Sequence, residues 1–572
     1  MMQFSSLTLL ALLAFFSVWC FVPASCHVNK TTSRTSYPAS SEWTGWGGNI
    51  FNNRWNSHND EVSASDIGSL SIKCQLTYHF GVSATPVIDG NTAYYPTWNG
   101  SLVALDYTTC SVRWQINVTQ VIVDFAPPTE VNSIVPPVSR TSPQIDGDTI
   151  YFGTLLNCLI VAVDVRNGHA LAVKQINSHP VAIVTMSPTF YDGKLLVGSS
   201  SSEESIADMV PDYKCCSFVG NMVALNFDSS SKRFKTVWNI SMIPEDQVKA
   251  GWSGSAIWGS QPAIDSKRCQ VYVATGNTYS VPKVIQDCQS ATQNLTAVRE
   301  GLVPEPCLPA DVWQEAVLAI DIDTGFVNWV RQLSPLDSWT VACGITGLLP
   351  QNHDVCPEEP GPDADFGMAP VFVPGSKNTP QEQDTLIVGQ KNGNLYAMSA
   401  EAGTLFWTTV TSPDGNEGGL SWGVAVDDSQ VYFTALNSFR TPFALRPSNQ
   451  STRGSALGAV SLKDGTIIWE VAPPGGNSSI TAYANNPPTV VGDLVLTGRT
   501  GFENSTEGYE NSTGALLAFD KASGKLVHLV ELETNFHSGV AVQGEYIMWG
   551  TGYRQYTTYS GNGSFYVGKV GK

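Results

Sequence analysis

Short apolar runs separated by turn residues recur along most of the chain and predict many β-strands. One recurring pattern has a small residue, a proline, an apolar pair and an Asp-Gly turn, as in residues 83–90 and again in residues 142–147. Such turns need a positive backbone φ angle, which glycine and aspartate adopt readily. Weaker copies begin at Ser187, Ser260, Met368, Trp422, Asn486 and Ser538. Eight copies in all indicate a repeat protein.

A second pattern follows each copy of the first and has the form Gly-x-Leu/Val-x-Ala-x-Asp-x-x-Thr-Gly-x-x-x-Trp. In its clearest copies the tryptophan lies ten residues after the alanine, and these copies end at Trp114, Trp329, Trp407 and Trp469. Looser copies surround Ala162, Ala224 and Ala518, and a short eighth copy begins at Gly563. Each pair of patterns predicts a four-stranded antiparallel sheet whose tryptophan packs against the neighbouring sheet.

A single sheet of this kind cannot bury both of its faces, so the eight sheets must close into a ring. The last copy lacks an outer strand, and the region from Trp43 to Leu76 is expected to supply it. That closure would leave no free sheet edge. The sequence therefore predicts an all-β fold, an eight-bladed β-propeller built from these repeats.

The composition fits a folded domain with many buried strands. Of the 572 residues, 42% are hydrophobic and 14% are charged, and 50 glycines and 33 prolines punctuate the chain. The net charge of −19 argues against nucleic acid as a partner, because phosphate binding needs a basic surface. The length exceeds that of an ordinary single core, but a propeller can use it in one domain.

The N-terminus has the pattern of a targeting segment. Residues 4–22 are mostly apolar, and Ala24 and Ser25 precede Cys26, so we expect a signal peptide cleaved near Cys26. An uncleaved signal anchor is the alternative, because the usual charged start is missing. The predicted organisation is a signal peptide over 1–26, a linker over 27–42 and a propeller over 43–572. After signal cleavage no membrane span is expected.

Two further features predict a secreted protein, in an extracellular space such as the cell wall or apoplast. Ten cysteines are left when Cys20 and Cys26 are set aside, an even number that suits an oxidising compartment. Ten Asn-x-Ser/Thr sequons predict N-glycans and a eukaryotic source. The sequons begin at Asn29, Asn99, Asn117, Asn239, Asn294, Asn449, Asn477, Asn504, Asn511 and Asn562.

The two longest steps between repeats carry extra loops, and these loops contain six of the cysteines. Long loops on one part of a repeat ring usually form a functional face. The adjacent Cys215 and Cys216 are predicted to pair with each other, with separate partners as the ordinary alternative. Two other pairs each bracket a loop of moderate length and are predicted disulfides, Cys288–Cys307 and Cys343–Cys356.

Six stretches, in their order and spacing, resemble one known family. They are residues 197–204, 215–220, 256–260, 273–280, 361–367 and 389–393. Residues 55–568 are similar to the polyvinyl-alcohol-dehydrogenase-like branch of the quinoproteins, the alcohol dehydrogenases that depend on pyrroloquinoline quinone (PQQ). The resemblance implies PQQ in the central funnel of the propeller, held above a calcium ion. No Cys-x-x-Cys-His motif occurs, so no covalently attached haem is expected.

The resemblance also implies individual site residues. Glu203 and Asn277 fall on the calcium ligands of the family, and Trp258 falls on the tryptophan whose ring supports the quinone. Lys391 matches a basic residue near the quinone oxygens, where it would polarise them during catalysis. The other matches are polar or basic contacts to the cofactor, Arg140, Thr185, Ser200 and Asn437.

Each of these residues also has an ordinary structural interpretation. Glu203, beside Glu204, could be a solvated loop carboxylate, and Trp258 could be one more tryptophan between blades. Asn277 and Lys391 lie in sequences that favour turns. The functional interpretation is favoured because the residues lie at the matching points of successive repeats.

Two features depart from the family. Its calcium-binding, proton-abstracting aspartate follows a tryptophan in an Asp-x-Trp-Asp arrangement, but here the sequence reads Asp337-Ser-Trp-Thr340. A threonine is neither a base nor an anionic ligand, so Asp337 is the catalytic candidate, with Asp363 and Asp365 as other nearby carboxylates. The adjacent cysteines follow Glu203 in the chain, whereas the family's pair precedes its calcium-binding glutamate.

The leading hypothesis is a secreted, PQQ- and calcium-dependent oxidoreductase that oxidises a small or polymeric alcohol or a sugar hydroxyl. A base would take the hydroxyl proton, hydride would pass to the quinone, and an external acceptor would take the electrons. The alternative is a catalytically inactive extracellular binding module, which Thr340 favours. A glycoside-acting wall protein would need two carboxylates placed together, and the sequence shows no such pair.

Overall fold

The computed structural model describes residues 42–571 with several gaps. The gaps are 211–212, 293–296, 298–304, 345–354, 414, 417, 477–479, 505–512 and 554–560. The predicted signal peptide, residues 1–26, and almost all of the predicted linker lie outside the described residues. So do the sequons at Asn29, Asn294, Asn477 and Asn511. Within the described ranges, no helix is long and apolar enough to cross a membrane.

Eight sheets, each with four antiparallel strands, form the blades of a propeller, and one of the sheets has a fifth, parallel strand, which confirms the predicted fold. We number the blades from the N-terminus. Blade 1 consists of the strands Val87–Asp89, Thr92–Thr97, Ser101–Asp106 and Ser111–Asn117, and blade 2 of Gln144–Asp146, Thr149–Gly153, Leu159–Asp164 and Ala170–Gln175. Blade 3 consists of Thr189–Tyr191, Lys194–Gly198, Asn221–Asp228 and Arg233–Ser241, and blade 4 of Ala263–Asp265, Gln270–Ala274, Ala316–Asp321 and Val327–Gln332. Blade 5 consists of the strands Val371–Val373, Thr385–Gly389, Asn394–Ser399 and Leu405–Val410, and blade 6 of Ala425–Val426, Gln430–Ala435, Ala456–Ser461 and Ile467–Val471. Blade 7 consists of Thr489–Val491, Leu494–Arg499, Ala515–Asp520 and Leu526–Glu531, and blade 8 of Ala541–Gln543, Tyr546–Gly550, Asn562–Lys569 and Ser71–His79.

The loops between these strands contain short helices, 3-10 turns and two-stranded ribbons. Within the described ranges the structure has four complete α-helices, α1 (Val118–Phe125), α2 (Glu203–Met209), α3 (Glu245–Ala250) and α4 (Lys283–Ala291). Single 3-10 turns occur at Ile67–Ser69, Leu156–Cys158, Val341–Cys343 and Pro380–Glu382. Two-stranded ribbons pair Ala182–Ile183 with Ser200–Ser201, Ser253–Gly254 with Thr278–Ser280, Phe443–Ala444 with Ser451–Thr452, and Ile480–Tyr483 with Gly501–Asn504.

In five of the eight blades, a tryptophan on the outer strand joins the blade to the next one. Trp114 lies opposite Ala104 in blade 1, and its Nε1 donates a hydrogen bond to the carbonyl oxygen of Val165, 2.9 Å away, beside blade 2. Gly168, with a φ of 71°, leaves room for the ring at that turn. Equivalent bonds run from Trp238 to Ile322, Trp329 to Ala400, Trp407 to Leu462 and Trp469 to Lys521. The predicted role of this tryptophan is confirmed.

The ring closes with a strand from the N-terminal region, as predicted. Ser71–His79 pairs antiparallel with Asn562–Lys569 and forms the outer strand of blade 8. Trp55–Asn56 also pairs, in parallel, with the inner strand of blade 7. Strands from the N-terminal and C-terminal regions of the described chain therefore share one sheet, and Ser71–His79 is its outermost strand.

Residues 43–56 cross from blade to blade before the closing strand begins. Their carbonyl oxygens accept hydrogen bonds from the inner strands of blades 1, 4, 5, 6 and 7, at Ile88, Ile264, Phe372, Val426 and Val490. The guanidinium of Arg54 is fully buried, donates to the carbonyl oxygen of Pro488 at 2.7 Å, and lies over the rings of Trp43 and Trp46. Burial lowers the pKa of Arg54 to about 9. This segment holds the inner strands together around the axis.

Four disulfides are formed among the described residues. Cys288–Cys307, Cys343–Cys356 and Cys215–Cys216 confirm the three predicted pairs. The fourth, Cys74–Cys110, was not predicted and links the closing strand of blade 8 to a turn of blade 1. A cross-link at this place ties the first blade to the last and so reinforces the closure.

Candidate functional site

A cavity of about 310 Å³ lies where loops and inner strands of several blades converge. Its wall combines aromatic rings, two basic side chains, three carboxylates and a group of apolar side chains. Such a mixture of apolar surface and a few converging charged groups is typical of a small-molecule site. Five of the predicted site residues line it, Arg140, Thr185, Ser200, Trp258 and Lys391.

The most charged part of the cavity centres on Lys391. Its Nζ lies 2.9 Å and 3.0 Å from the two carboxylate oxygens of Asp363 and 3.2 Å from Oδ2 of Asp365. All three side chains are buried. Burial by itself would lower the pKa of Lys391, but the two aspartates raise it well above its usual value. The lysine is therefore a fixed cation at neutral pH.

Asp363 is a buried carboxylate whose two oxygens contact the Lys391 ammonium. Burial raises the pKa of Asp363 well above its usual value, and the nearby Lys391 opposes that effect. Asp365 is held differently, because it accepts hydrogen bonds from the backbone N–H of Asn277 at 2.6 Å and from Nε1 of Trp258 at 3.1 Å. Gly276 permits this approach, since a Cβ there would lie 2.4 Å from Oδ1 of Asp365.

Glu204 joins the two aspartates to form a carboxylate triad. One oxygen of Glu204, one of Asp363 and one of Asp365 all lie within 4.8 Å of one another. Oxygen ligands at this spacing suit a hard divalent cation such as calcium. If all three acids are ionised, Lys391 balances only one of their charges, so the donor set fits a divalent ion in both chemistry and charge.

Aromatic rings form much of the remaining wall. The ring centroids of Trp258 and Trp422 are 6.1 Å apart. Tyr553 lines a smaller adjoining pocket, where its ring lies 6.1 Å from Trp422 and 5.2 Å from Trp98. The ammonium of Lys391 lies 5.6 Å from the Trp258 centroid. Planar faces beside buried cations suit a flat, negatively charged ligand.

Arg140 supplies a second cation at the aromatic wall. Its guanidinium lies 5.2 Å from the ring centroid of Trp422 and donates a hydrogen bond to the Tyr553 hydroxyl at 2.6 Å. Thr185 and Ser200 also line the cavity, and the Thr185 hydroxyl donates to the carbonyl oxygen of Trp258 at 2.8 Å. The structure thus brings these three predicted cofactor contacts together with Trp258.

Glu203, the predicted calcium ligand, points away from the cavity. Its buried carboxylate accepts hydrogen bonds from the Tyr213 hydroxyl at 2.7 Å, from the backbone N–H of Phe218 at 2.7 Å and from that of Ser217. These bonds fasten the loop that carries the adjacent cysteines. The neighbouring residue, Glu204, is the one whose side chain lines the cavity.

Asn277 and Asn437 lie outside the described lining of the cavity. Asn277 is buried behind Asp365, and its Nδ2 donates to the carbonyl oxygen of Trp339 at 2.9 Å. Asn437 has its amide engaged by Thr441 and Arg453 in a loop of blade 6. The structure gives Asn277 a supporting place beside the carboxylate triad, while Asn437 is engaged in its own loop.

Asp337, the predicted catalytic carboxylate, is buried beneath the loop that carries Asp363. It accepts hydrogen bonds from the backbone N–H of Ala364 at 2.7 Å and of Asp363 at 3.3 Å. Burial raises the pKa of Asp337 and of the nearby buried Glu315. Thr340 is fully buried as well. Neither Asp337 nor Thr340 is among the residues that line the cavity in the described chain.

Sequence reasoning missed Trp422, Tyr553 and the role of Glu204. Trp422 could have been identified by comparing the repeats. In the first repeat, the position five residues before the turn aspartate holds the small residue Ala84, whereas the same position in a later repeat holds Trp422. A large ring at a position that faces the axis marks a ligand wall. Tyr553 had no such signal, because it follows the last inner hairpin in an irregular loop.

Comparison with known proteins places the chain among PQQ-repeat proteins. The PQQ_2 family model, described as outer membrane protein assembly factor BamB, matches residues 71–207 and 314–503, more than half of the chain. A polyvinylalcohol dehydrogenase of Pseudomonas sp is 28% identical over 441 residues, and one of Sphingopyxis sp. (strain 113P3) is 27% identical. These alignments cover 76% and 75% of this chain. The chain spans about 60% of the length of these relatives.

More distant relatives share the architecture. Quinohemoprotein alcohol dehydrogenase ADH IIB of Pseudomonas putida is 22% identical over 561 residues, which cover 93% of this chain and 70% of that protein. The solved quinohemoprotein alcohol dehydrogenase of Comamonas testosteroni has a TM-score of 0.63 at 15% identity, over 93% of this chain and 81% of that one. A europium-containing methanol dehydrogenase gives a TM-score of 0.59 at 15% identity, over 93% and 99%. At these identities the structural likeness establishes the fold alone.

Proposed function

Because this chain belongs to the PQQ-dependent alcohol dehydrogenase family, with polyvinylalcohol dehydrogenases among its homologues, we propose that it is a quinoprotein oxidoreductase acting on alcohols. One observation carries the proposal. The axial cavity holds a buried lysine between two aspartates, beside an indole ring and within reach of a third carboxylate. That combination provides, in one place, the fixed positive charge of the lysine, a proton acceptor, a flat aromatic face and carboxylates that can bind a metal cation.

The wall of the cavity fits PQQ, which is a planar quinone with three carboxylates. Trp258 and Trp422 offer flat apolar faces, and Arg140 offers a cation for a carboxylate. Thr185 and Ser200 add hydroxyl groups. When bound, PQQ supplies a two-electron acceptor, chemistry that no amino-acid side chain provides. These residues would hold it, and the closely packed rings would limit the access of water.

We assign the divalent cation to the triad of Glu204, Asp363 and Asp365. This assignment moves the predicted calcium ligand from Glu203 to its neighbour, because the Glu203 carboxylate is already engaged by the loop at Ser217 and Phe218. Asn277 supports the triad through its backbone N–H, which orients Asp365. The cation would act as a Lewis acid at the site.

The base that takes the hydroxyl proton is Asp363 in this proposal. A general base is most effective when its pKa lies near the working pH, and burial raises the pKa of Asp363 in that direction. Its two oxygens contact the same ammonium, whereas Asp365 is committed to three separate donors. Lys391 fixes the orientation of Asp363 and supplies a hydrogen-bond donor beside it. Asp337 has a supporting role, because its carboxylate accepts hydrogen bonds from the backbone N–H groups of residues 363 and 364 and so holds this loop in place.

Secretion, glycosylation and the use of an external electron acceptor are further parts of the proposal. Five sequon asparagines within the described ranges are exposed, as glycan attachment requires. They are Asn99, Asn117, Asn239, Asn449 and Asn562. The disulfides fit an oxidising compartment. Absence of haem stays a prediction from the missing attachment motif.

An extracellular binding module that has lost turnover is the second candidate. The specific observation in its favour is that Thr340 occupies the base position of the family and that Asp337, beside it, is buried away from the cavity. Under this alternative the cavity binds a ligand but oxidises nothing.

Reconstitution followed by a dye-linked assay tests the proposal. The purified glycoprotein is incubated with PQQ and calcium, freed of excess cofactor and assayed for alcohol-dependent reduction of an artificial electron acceptor. We expect activity that needs both PQQ and calcium, and we expect Asp363→Asn to lower kcat at least 100-fold when PQQ and calcium are both supplied at saturating concentrations. Binding of PQQ without oxidation of any alcohol would support the binding module, and activity without PQQ would reject the proposal.

A further inference from the structure

A second cavity, of about 460 Å³, lies where the outer strands of blades 2 and 3 end. We call it the amide cavity. All seven of its lining residues are uncharged, and apart from Ile176 their side chains carry amide or hydroxyl groups. A wall of neutral donors and acceptors suits a ligand with several hydroxyl or amide groups, such as a sugar. The polar lining residues are Gln175, Asn177, Ser178, Asn221, Asn239 and Ser241.

A chain of hydrogen-bonded amides fixes the orientation of Asn239 in this cavity. Nδ2 of Asn177 donates to the backbone carbonyl oxygen of Val219 at 3.0 Å and to Oδ1 of Asn221 at 2.8 Å. Nδ2 of Asn221 in turn donates to the backbone carbonyl oxygen of Ile176 at 3.1 Å and to Oδ1 of Asn239 at 2.8 Å. Because a backbone carbonyl can only accept, the two carbonyls determine which end of each amide is the nitrogen. The oxygen of Asn239 is therefore engaged by the protein, and its Nδ2 is the end that this chain of bonds leaves unused.

That nitrogen is the atom to which an N-glycan is attached. Asn239 is exposed and begins the sequon of residues 239–241. Attachment replaces only one of the two hydrogens on Nδ2, so the bond from Asn221 to the Asn239 oxygen is kept. The wall also has groups left for a sugar. Among the described residues, the Ser178 hydroxyl has no hydrogen-bond partner, and Gln175 uses only its Nε2, which donates to a backbone carbonyl at 3.0 Å.

We infer that the first N-acetylglucosamine of a glycan on Asn239 lies in the amide cavity, against Gln175 and Ser178, so that the protein holds this glycan in place. The inference rests on the glycosylation proposed above and adds a built sugar site to it. In the attachment, Nδ2 forms a bond to C1 of the sugar as the bond from C1 to the diphosphate of a lipid-linked donor breaks, and one Nδ2 proton passes to a base. Asn449 offers a contrast, because it is exposed and its side chain makes no hydrogen bond within the described ranges.

Enzymatic release of the glycans tests the inference on the secreted glycoprotein. A peptide-N-glycosidase is applied to the native and to the denatured protein in water labelled with oxygen-18, and mass spectrometry of peptides follows the conversion of each asparagine to aspartate. In the native protein we expect release at Asn239 to be slower than at Asn449 by about tenfold or more, because the sugar must first leave its hydrogen bonds. After denaturation the two rates should agree within about twofold, since the cavity no longer exists.

Two results would overturn the inference and leave the proposed glycosylation standing. One is an equal rate of release at Asn239 and Asn449 in the native protein, and the other is an unmodified Asn239 beside a glycosylated Asn449. Absence of a glycan at both residues would overturn the inference together with the proposed glycosylation. None of these results bears on the proposed oxidation of alcohols.

A double variant locates the effect in the amide cavity. Gln175→Ala with Ser178→Ala removes the two groups that we assign to the sugar and keeps the sequon, so release at Asn239 from the native protein should become faster by about threefold or more. Ser376→Ala with Gln381→Ala is the matched control, because both residues are exposed in a loop of blade 5, and it should release the glycan at the wild-type rate. Thermal unfolding of both variants checks that the fold is intact. A wild-type rate at Asn239 in the cavity variant would show that the sugar is not held there.

Discussion

Lys391 and Asp363 form a buried ion pair, with the lysine ammonium 2.9 Å and 3.0 Å from the two carboxylate oxygens. The pair joins the two segments that flank the first two strands of blade 5, because Asp363 comes from the loop that precedes the blade and Lys391 follows its second strand. The lysine also contacts Asp365 and lies beside the ring of Trp258. The proposed chemistry depends on this arrangement.

Removal of the lysine charge should destabilise the fold. In Lys391→Met two buried carboxylates lose their cation, and we expect the free energy of unfolding to fall by about 3–5 kcal/mol in metal-free protein. Lys249→Met is the control, because Lys249 is largely exposed and its ion pair with Glu245 is a surface pair. Chemical denaturation of both variants gives the comparison. Equal stability of the two variants would contradict the buried pair.

Glu203 and Glu204 should have opposite effects when each is changed to glutamine. Glu203→Gln replaces one of the two accepting carboxylate oxygens with an NH2 donor that faces the loop donors, so we expect a loss of about 1–3 kcal/mol of stability and little direct effect on calcium affinity. Glu204→Gln should leave stability nearly unchanged and weaken calcium binding at least tenfold. Thermal denaturation and calcium titration of the two proteins measure this. The reverse pattern would restore Glu203 as the ligand.

Thr340 should tolerate an apolar replacement and reject an acidic one. Its Oγ1 is buried and has no hydrogen-bond partner among the described residues, so Thr340→Val should unfold at the same temperature as the wild type or higher. Thr340→Asp would bury a carboxylate and should lower the stability by several kcal/mol, about 3 or more. Differential scanning calorimetry of the two variants decides. A stable Thr340→Asp protein with higher activity would show that this position still reaches the site.

His537 should make stability depend on pH. Burial lowers the pKa of His537 to about 4, whereas an unfolded histidine has a pKa of about 6.5. As the pH falls below about 6.5, the histidine of the unfolded chain takes up a proton while that of the folded chain stays neutral. The free energy of unfolding therefore decreases between the two pKa values. The wild type should lose about 2 kcal/mol more than His537→Gln between pH 7.5 and pH 5. Urea denaturation at the two pH values measures the difference, and identical losses would show that His537 is not held neutral.

The repeats made the fold predictable. The ten-residue spacing between Ala104 and Trp114 predicts two neighbouring strands, the turn between them and the pairing of these two residues. The recurrence of the repeats gives the number of blades. The short last copy, near Gly563, showed that a strand had to come from elsewhere, and Ser71–His79 supplies it. These inferences rest on periodic burial, which the sequence displays directly.

The site was less predictable because its geometry depends on single residues in irregular loops. Glu203 and Glu204 are neighbours at the start of α2, where one step along the helix turns a side chain by about 100°, and the sequence does not say which one faces the axis. Asp337 is 26 residues before Asp363 in the chain, yet it lies directly behind it. Only the folded loop shows which of the two lines the cavity.

Binding of PQQ tests the central claim most directly. Quenching of tryptophan fluorescence is followed as PQQ is added to the purified protein with calcium, with a chelator, and with calcium for the Asp365→Asn and Trp258→Ala variants. We predict saturable binding of one PQQ per chain that is weakened at least tenfold by the chelator and by each substitution. Absence of saturable binding with calcium in excess, or binding that neither substitution alters, would contradict the assignment of the cavity.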